Sequence, residues 1–158
     1  MIERIVSGGQ TGCDRAAFDA ALARSIPMSG WVPLGRIAEE GVIPARYPNL
    51  SEVGSADPAV RTEANVRDSD ATLLISHGPL EGGSALTRVF CERQGRPWFH
   101  AALPAVGARE VCRWVERVRP AVLNVAGPRA SEDPRVYEAA RALLLEVLGG
   151  DARVSAKR

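Results

Sequence analysis

The chain has 158 residues, of which 46% are hydrophobic and 25% are charged, and its formal net charge is +1. These values are typical of one globular domain that buries a core without disulfides or structural metals. A nearly neutral chain has no general attraction for nucleic acid or membranes, so we expect neither as a partner. No apolar run approaches the ~20 residues that span a bilayer, and the amino terminus lacks a signal-peptide pattern, which predicts a cytoplasmic protein.

Cysteine and histidine usage gives no sign of a metal site or a disulfide framework. The three cysteines, Cys13, Cys91 and Cys112, lack C-x-x-C spacing. The two histidines, His77 and His100, lack the spacing of metal ligands. We therefore expect no disulfide and no bound metal ion held by these side chains.

In the first half of the chain, strand and helix patterns alternate around one long irregular stretch. Thr11 and Asp14 have the spacing of a capping box at the start of the first helix. Asp57-Pro58 is typical of an N-cap followed by a first-turn proline. The predicted elements are a strand at 3–7, a helix at 13–24, a short strand at 31–32, a functional or packed loop at 33–58 and a helix up to about 67.

The second half repeats the alternation. The last helix has a complete apolar stripe from Val136 to Leu148, and Gly149-Gly150 is expected to end it. The other predicted elements are a buried strand at 71–76, a helix at 84–94, a strand at 97–101, a helix around 111–118 and a strand at 121–125. The alternation predicts an α/β, three-layer, Rossmann-like doubly wound fold with a mainly parallel sheet and helices on both faces, formed by residues 1–150 with a disordered tail at 151–158.

Ligands of such sheets bind beyond the carboxyl ends of the strands, where this sequence places three glycine-rich segments. In the first segment the glycines permit a tight turn, and the following helix directs backbone N–H groups at an anion. A plain strand-to-helix turn remains the alternative. The candidate ligand-binding residues of this segment are Gly8, Gly9, Gln10, Thr11, Gly12, Asp14 and Arg15.

The second segment follows the buried strand and also leads into a helix. Its glycines and hydroxyl groups suit a phosphate, although a loop with Ser84 as N-cap is an equal alternative. His77 is interpreted as a polar loop residue rather than an acid or base. The candidate ligand-binding residues here are Gly78, Gly82, Gly83, Ser84 and Thr87.

The third segment follows the last strand. Asn124 is polar within an apolar strand, so its amide is expected to bond a neighbouring loop or a ligand. Arg129 is either solvated or a contact for an oxyanion. The candidate ligand-binding residues here are Asn124, Gly127, Arg129 and Ser131.

Other polar residues are given structural interpretations. Asp68 and Asp70 are expected to close a helix, and Trp31 to serve in packing or as a lid. A surface face is expected for the polar residues of the preceding helix, namely Arg61, Thr62 and Asn65.

Several motifs in this order resemble the family named putative molybdenum carrier. They are Ile5 to Gly12 with Asp14-Arg15, Gly30-Trp31 with Gly35-Arg36, Ala38-Glu39, Ile43-Pro44 with Tyr47-Pro48, Arg61-Thr62, Asn65-Val66, Asp68 to Leu73, Gly78-Pro79 with Gly82 to Thr87, and Asn124 to Arg129 with Ser131. The resemblance extends over residues 4–148. Leu34 departs from it where a basic residue is expected, and Cys13 stands in place of a plain aliphatic residue.

The resemblance implies a Rossmann-like fold related to the lysine-decarboxylase-like nucleotide-binding group, and a homo-oligomer, dimer or tetramer. It also implies a carrier that binds molybdenum cofactor, whose pterin bears a phosphate, without catalytic residues. The alternatives are an enzyme that resembles nucleoside-monophosphate phosphoribohydrolases and a nucleotide sensor, both with an AMP-like ligand. The segment Gly82 to Thr87 lacks the glutamate-bearing loop of those enzymes, although Asp14, Glu39 or Asp68 could serve as an acid.

Overall fold

The protein forms one six-stranded parallel sheet and a small hairpin with five helices. The computed structural model describes the backbone of residues 1–156 and the side chains of residues 1–149. The strands are β1 (Arg4–Val6), β2 (Met28–Val32), β3 (Ile37–Ala38), β4 (Gly41–Val42), β5 (Leu50–Glu52), β6 (Ala71–His77), β7 (Trp98–Leu103) and β8 (Val122–Ala126). The helices are α1 (Cys13–Ala23), α2 (Pro58–Arg67), α3 (Gly82–Gln94), α4 (Ala108–Val118) and α5 (Val136–Ala156).

The strand order places a topological switch point at β1 and β8. The main sheet has the order β5-β2-β1-β8-β6-β7, and all its neighbouring pairs are parallel. The chain winds outward from β1 through β2 to β5, then crosses to β6 and β7 and returns to insert β8 beside β1. The loops after β1 and β6 lead to α1 and α3, which lie on opposite faces of the sheet on either side of β8, so a crevice suited to ligands opens at the carboxyl end of β8.

The two faces of the sheet are covered unequally. Helix α5 packs against α1 and α4 on one face, over a large core that includes Phe18, Leu73, Leu123 and Leu144. Helices α2 and α3 pack together on the other face. The separate cluster of buried apolar residues, which lies with these two helices, has only three members, Val66, Phe90 and Cys91. Near the carboxyl edge, α2 and α3 also present polar side chains to each other, among them Arg61, Asn65 and Thr87.

The predicted α/β fold is confirmed, and three local predictions are wrong. Residues 33–58 are not one loop, because they contain the antiparallel hairpin β3–β4 and the edge strand β5. The N-cap of α1 is Gly12 without a side-chain hydrogen bond, so Thr11 and Asp14 form no capping box. Helix α5 continues through Gly149-Gly150, which were expected to end it.

Two further sequence expectations concern the carboxyl-terminal tail and membrane-spanning helices. The predicted disordered tail, 151–158, lies outside the residues whose side chains are described, and residues 157–158 lie outside the described backbone. Within the described chain, no helix combines the length and the apolar character that a membrane crossing requires.

Candidate functional site

A cavity of about 350 Å³ opens between α2 and α3 at the carboxyl ends of β1 and β8. Its position is the switch point of the sheet, where ligands of open α/β sheets bind. Its volume lies within the roughly 300–1,000 Å³ of small-molecule sites. Among its lining residues are three carboxylates, from Asp14, Asp57 and Glu132, and two guanidinium groups, from Arg61 and Arg129.

The cavity brings together ten of the sixteen candidate residues from all three glycine-rich segments. Those that line it are Gly8, Gln10, Asp14, Gly82, Gly83, Ser84, Thr87, Asn124, Gly127 and Arg129. The other six do not line it: Gly9, Thr11, Gly12, Arg15, Gly78 and Ser131. The three segments thus meet at one edge of the sheet, as their positions after parallel strands predict.

Arg61 is a cavity residue that the sequence interpretation assigned to a surface face. Its guanidinium lies against the end of β1, where a Cβ at Gly8 would be only 2.6 Å from Arg61 Nε. Glycine at position 8 therefore makes room for the arginine. The Nη1 atom donates to the Thr62 hydroxyl, whereas Nε is buried without a hydrogen-bond partner among residues 1–149. A buried donor left unpaired costs about 1–3 kcal/mol, so this atom marks a place for an acceptor.

Asp14 contributes a buried carboxylate to the same cavity. It is 5% exposed, and Oδ2 accepts a hydrogen bond of 3.1 Å from the Gln10 backbone N–H. Burial raises the pKa of the Asp14 carboxyl above its ordinary value, although the Arg61 charge and the Gln10 hydrogen bond act in the opposite direction. Burial therefore favours the protonated form of this carboxyl more than water does.

The first turn of α3 forms another part of the cavity wall. Gly82 and Gly83 are exposed there, and α3 begins without a side-chain cap. Helix N-termini carry partial positive charge and offer free N–H groups to anions. Glu132 Oε2 lies 3.5 Å from the position that a Cβ of Gly82 would take, so one carboxylate already lies beside this turn. The Thr87 hydroxyl is bonded within the helix, to Gly83 O at 2.8 Å.

Two asparagines connect the cavity to the sheet. Asn124 Nδ2 donates to the Thr72 hydroxyl on the neighbouring strand β6 at 3.2 Å, so this amide bonds a strand rather than the expected neighbouring loop. Asn65 was expected on a surface face but is 2% exposed. Its side chain accepts from Trp31 N–H at 2.8 Å and donates to Trp31 O at 3.0 Å, so it fastens α2 to β2.

Thr11 and Ser131 bond a residue of the hairpin instead of lining the cavity. The Glu39 carboxylate accepts hydrogen bonds from the hydroxyl groups of both residues. Arg15 is similarly engaged within the protein, because its Nε donates to Gly9 O at 2.8 Å and its guanidinium pairs with Glu40. The sequence placed all three in a ligand site, but in the structure they join the β1–α1 loop to its neighbours.

Three other residues that the sequence singled out, His77, Gly78 and Asp68, lie outside the cavity. His77 Nδ1 is 2.5 Å from Asp133 Oδ2, so it has a partner that the sequence did not reveal. Gly78 is exposed and has φ of +77°, a left-handed conformation that suits glycine. Asp68, at the end of α2, accepts from the Trp31 indole N–H at 2.7 Å. Within residues 1–149, no group of three His, Cys, Asp or Glu side chains could hold a metal ion.

Comparisons with known proteins agree with this architecture. The model of the circularly permutated YpsA SLOG family matches residues 5–148. The crystal structure of a protein named putative molybdenum carrier protein, from Syntrophus aciditrophicus SB, aligns with a TM-score of 0.87 and 48% sequence identity. The match covers 93% of this chain and 94% of that protein. The comparison with curated proteins gave no match.

Proposed function

Since the chain belongs to the circularly permutated YpsA SLOG family, we propose that its switch-point cavity binds a small phosphate-bearing ligand as a carrier. The ligand that we favour is molybdenum cofactor, because the similar protein from Syntrophus aciditrophicus SB is named as a putative molybdenum carrier. An AMP-like nucleotide is the alternative ligand. The unpaired Arg61 Nε in the cavity is the observation that carries the proposal.

The groups around Arg61 suit a phosphate. An arginine donates to phosphate oxygens through charge-assisted hydrogen bonds, and the buried Arg61 Nε has no hydrogen-bond partner in the part of the chain whose side chains are described. The exposed turn at Gly82 and Gly83 adds the N-terminus of a helix to the same cavity. A phosphate bound here would supply the acceptor that Arg61 lacks.

The cavity also holds carboxylates near these groups, with Asp14 beside Arg61 and Glu132 beside the turn at Gly82. Asp14 and Glu132 accept hydrogen bonds but repel phosphate. The amino and ring N–H groups of a pterin, like those of a nucleobase, are donors that these carboxylates can bind. A ligand that carries both an anionic group and hydrogen-bond donors therefore matches the mixed charge of the lining, and the residues present fit molybdenum cofactor as cargo.

The proposal is tested by titrating molybdenum cofactor, kept anaerobic, into wild-type protein and two arginine variants. We expect a melting-temperature rise of roughly 5–10 °C when the wild type is held at about 100 times the dissociation constant. Arg61→Ala should weaken binding by on the order of 10- to 100-fold, the value of a charged hydrogen bond.

Arg93→Ala is the matched control, because Arg93 is exposed in the last turn of α3, away from the cavity. It should bind like the wild type. Equal affinity of Arg61→Ala and Arg93→Ala for molybdenum cofactor would overturn the role of Arg61. If only AMP raises the melting temperature, the nucleotide alternative replaces the carrier.

One observation favours a second candidate function, cleavage of a nucleoside monophosphate between base and ribose. Asp14 is a buried carboxyl with a raised pKa and it lies in the same cavity as an arginine. These are properties of a general acid. Glu39 and Asp68, the other two candidate acids, do not line the cavity. Of the three acids that the sequence suggested, Asp14 is therefore the one that lines the cavity.

A further inference from the structure

The carboxylate of Glu39 is bound by a set of donors that resembles an anion site. Its Oε1 atom accepts from the Thr11 hydroxyl at 2.5 Å and from Ser131 N–H at 3.1 Å. Its Oε2 atom accepts from the Ser131 hydroxyl at 2.5 Å and lies 3.4 Å from Arg129 Nε. Two hydroxyl groups, one backbone N–H and one guanidinium thus converge on a single carboxylate. We call these groups of Thr11, Arg129 and Ser131 the Glu39 cradle.

The donors of the cradle are held in place without Glu39. Thr11 Oγ1 accepts from Ala130 N–H at 3.1 Å, which joins the β1–α1 loop to the β8–α5 loop. Arg129 Nε also donates to Ser131 Oγ at 3.2 Å. The donors of the cradle thus have contacts with one another and with Ala130 in addition to those with Glu39.

The hairpin that carries Glu39 is also fixed by other contacts. Glu39 N–H donates to the Gln10 side-chain oxygen at 2.9 Å. Ala38 and Ile43, on either side of the turn, are 6% and 1% exposed. Removal of the Glu39 side chain should therefore empty the cradle and leave the hairpin in place.

We propose that the Glu39 cradle is a binding site for a small tetrahedral oxyanion, which Glu39 occupies from within the chain. The same donor types bind phosphate and sulfate in proteins, and a carboxylate is the side chain that best imitates such an anion. The hydrogen bonds from Ser131 and Thr11 lower the pKa of Glu39 below its ordinary value, so the cradle favours negative charge. The proposal does not depend on the ligand of the cavity, since Thr11 and Ser131 lie outside it.

The site would be coupled to the cavity through Arg129. This residue contacts Glu39 in the cradle and also lines the cavity, where its Nε is 3.8 Å from Glu132 Oε1. An oxyanion that displaces Glu39 from the cradle would change the partners of Arg129 and hence the charge that faces the cavity. The probe of this site is inorganic phosphate free in solution.

The test compares Glu39→Ala with Glu40→Ala, its neighbour in the same turn, which pairs with Arg15 and not with the cradle. Melting temperatures are measured with inorganic phosphate and with chloride at equal ionic strength. We expect phosphate at about ten times its dissociation constant to raise the melting temperature of Glu39→Ala by about 3–6 °C. Wild type and Glu40→Ala should respond much less, because Glu39 competes in both.

Further variants locate the bound phosphate. Glu39→Ala/Ser131→Ala should lose the response, whereas Glu39→Ala/Arg61→Ala should keep it, because Arg61 belongs to the cavity. A response in the first double variant, or no greater response in Glu39→Ala than in Glu40→Ala, would overturn the proposal. Loss of the response with Arg61→Ala would place the phosphate in the cavity and overturn it as well. If Glu39→Ala does not fold, the phosphate-dependent rise in melting temperature is measured for Glu39→Gln instead and compared with that of Glu40→Ala.

Discussion

At Asp14, burial and charge act on one carboxyl in opposite directions. Burial favours the protonated form, and the nearby Arg61 charge favours the ionised form, with burial the larger effect. The pKa in the folded protein is therefore higher than in the unfolded chain. By linkage, the folded state binds more protons than the unfolded state over the pH range between these two pKa values. Ionisation of Asp14 thus reduces stability as the pH rises from about 3.8.

We predict that Asp14→Asn removes the loss of stability that ionisation of Asp14 causes. Below pH 3.8 the wild-type carboxyl is largely protonated in both states, so the variant and wild type should differ least in charge. As the pH rises towards neutrality, only the wild type ionises a buried carboxyl, and the free energy of unfolding should change in favour of the variant. Urea denaturation at a series of pH values measures this difference. A difference that moves in favour of the wild type with rising pH would contradict the prediction.

At the scale of elements, α2 is attached to the sheet by a polar contact as well as by apolar packing. The Asn65 side chain satisfies both backbone groups of Trp31 in β2. Its neighbour Val66 packs with Phe90 and Cys91 of α3 in the smaller apolar cluster. The position of α2, and with it the position of Arg61, therefore depends on an amide that bridges helix and strand.

We expect Asn65→Ala to destabilise the protein by about 1–3 kcal/mol, because it leaves two backbone groups without partners. Glu63→Ala is the control, since Glu63 is exposed on the same helix and should change stability by about 0.5 kcal/mol or less. Chemical denaturation gives both values. Because Asn65 also lines the cavity, Asn65→Ala should also bind the cavity ligand more weakly than the wild type. Equal stability of the two variants would show that apolar packing alone holds α2.

At the scale of the molecule, the elements that the sequence predicted are those with a strong hydrophobic period. The buried strand β6 and the helices α1 and α3 lie close to their predicted bounds. Strands β3, β4 and β5 have only two or three residues each and are mostly exposed, so no apolar period marks them. The resemblance to the molybdenum carrier family, which rested on ordered motifs, is confirmed by a 48% identical structure. The expected homo-oligomer stays a prediction.

The site was predictable in its location but only partly in its residues. Parallel strands bring their carboxyl ends together, so glycine-rich segments after β1, β6 and β8 had to meet. Arg61 and Asn65 were missed because their helix has the pattern of a surface element, and only the packing of α2 against α3 places them at the cavity. Thr11 and Ser131, predicted to bind ligand, do not line the cavity, and a sequence cannot show that Glu39, 28 residues from Thr11, accepts hydrogen bonds from their hydroxyl groups.

The behaviour of AMP separates the possible functions of the whole molecule. We predict that the protein leaves AMP intact, because the turn at Gly82 to Thr87 lacks the glutamate-bearing loop of nucleoside-monophosphate phosphoribohydrolases. Of the three acids that the sequence suggested as alternatives, Asp14 is the one that lines the cavity. Incubation with AMP followed by chromatography of free adenine is the measurement, and Asp14→Asn is the control variant. Adenine released by the wild type and not by Asp14→Asn would replace the carrier with a hydrolase. AMP that binds with a rise in melting temperature but stays intact would favour a nucleotide sensor, whereas a carrier of molybdenum cofactor should not respond to AMP.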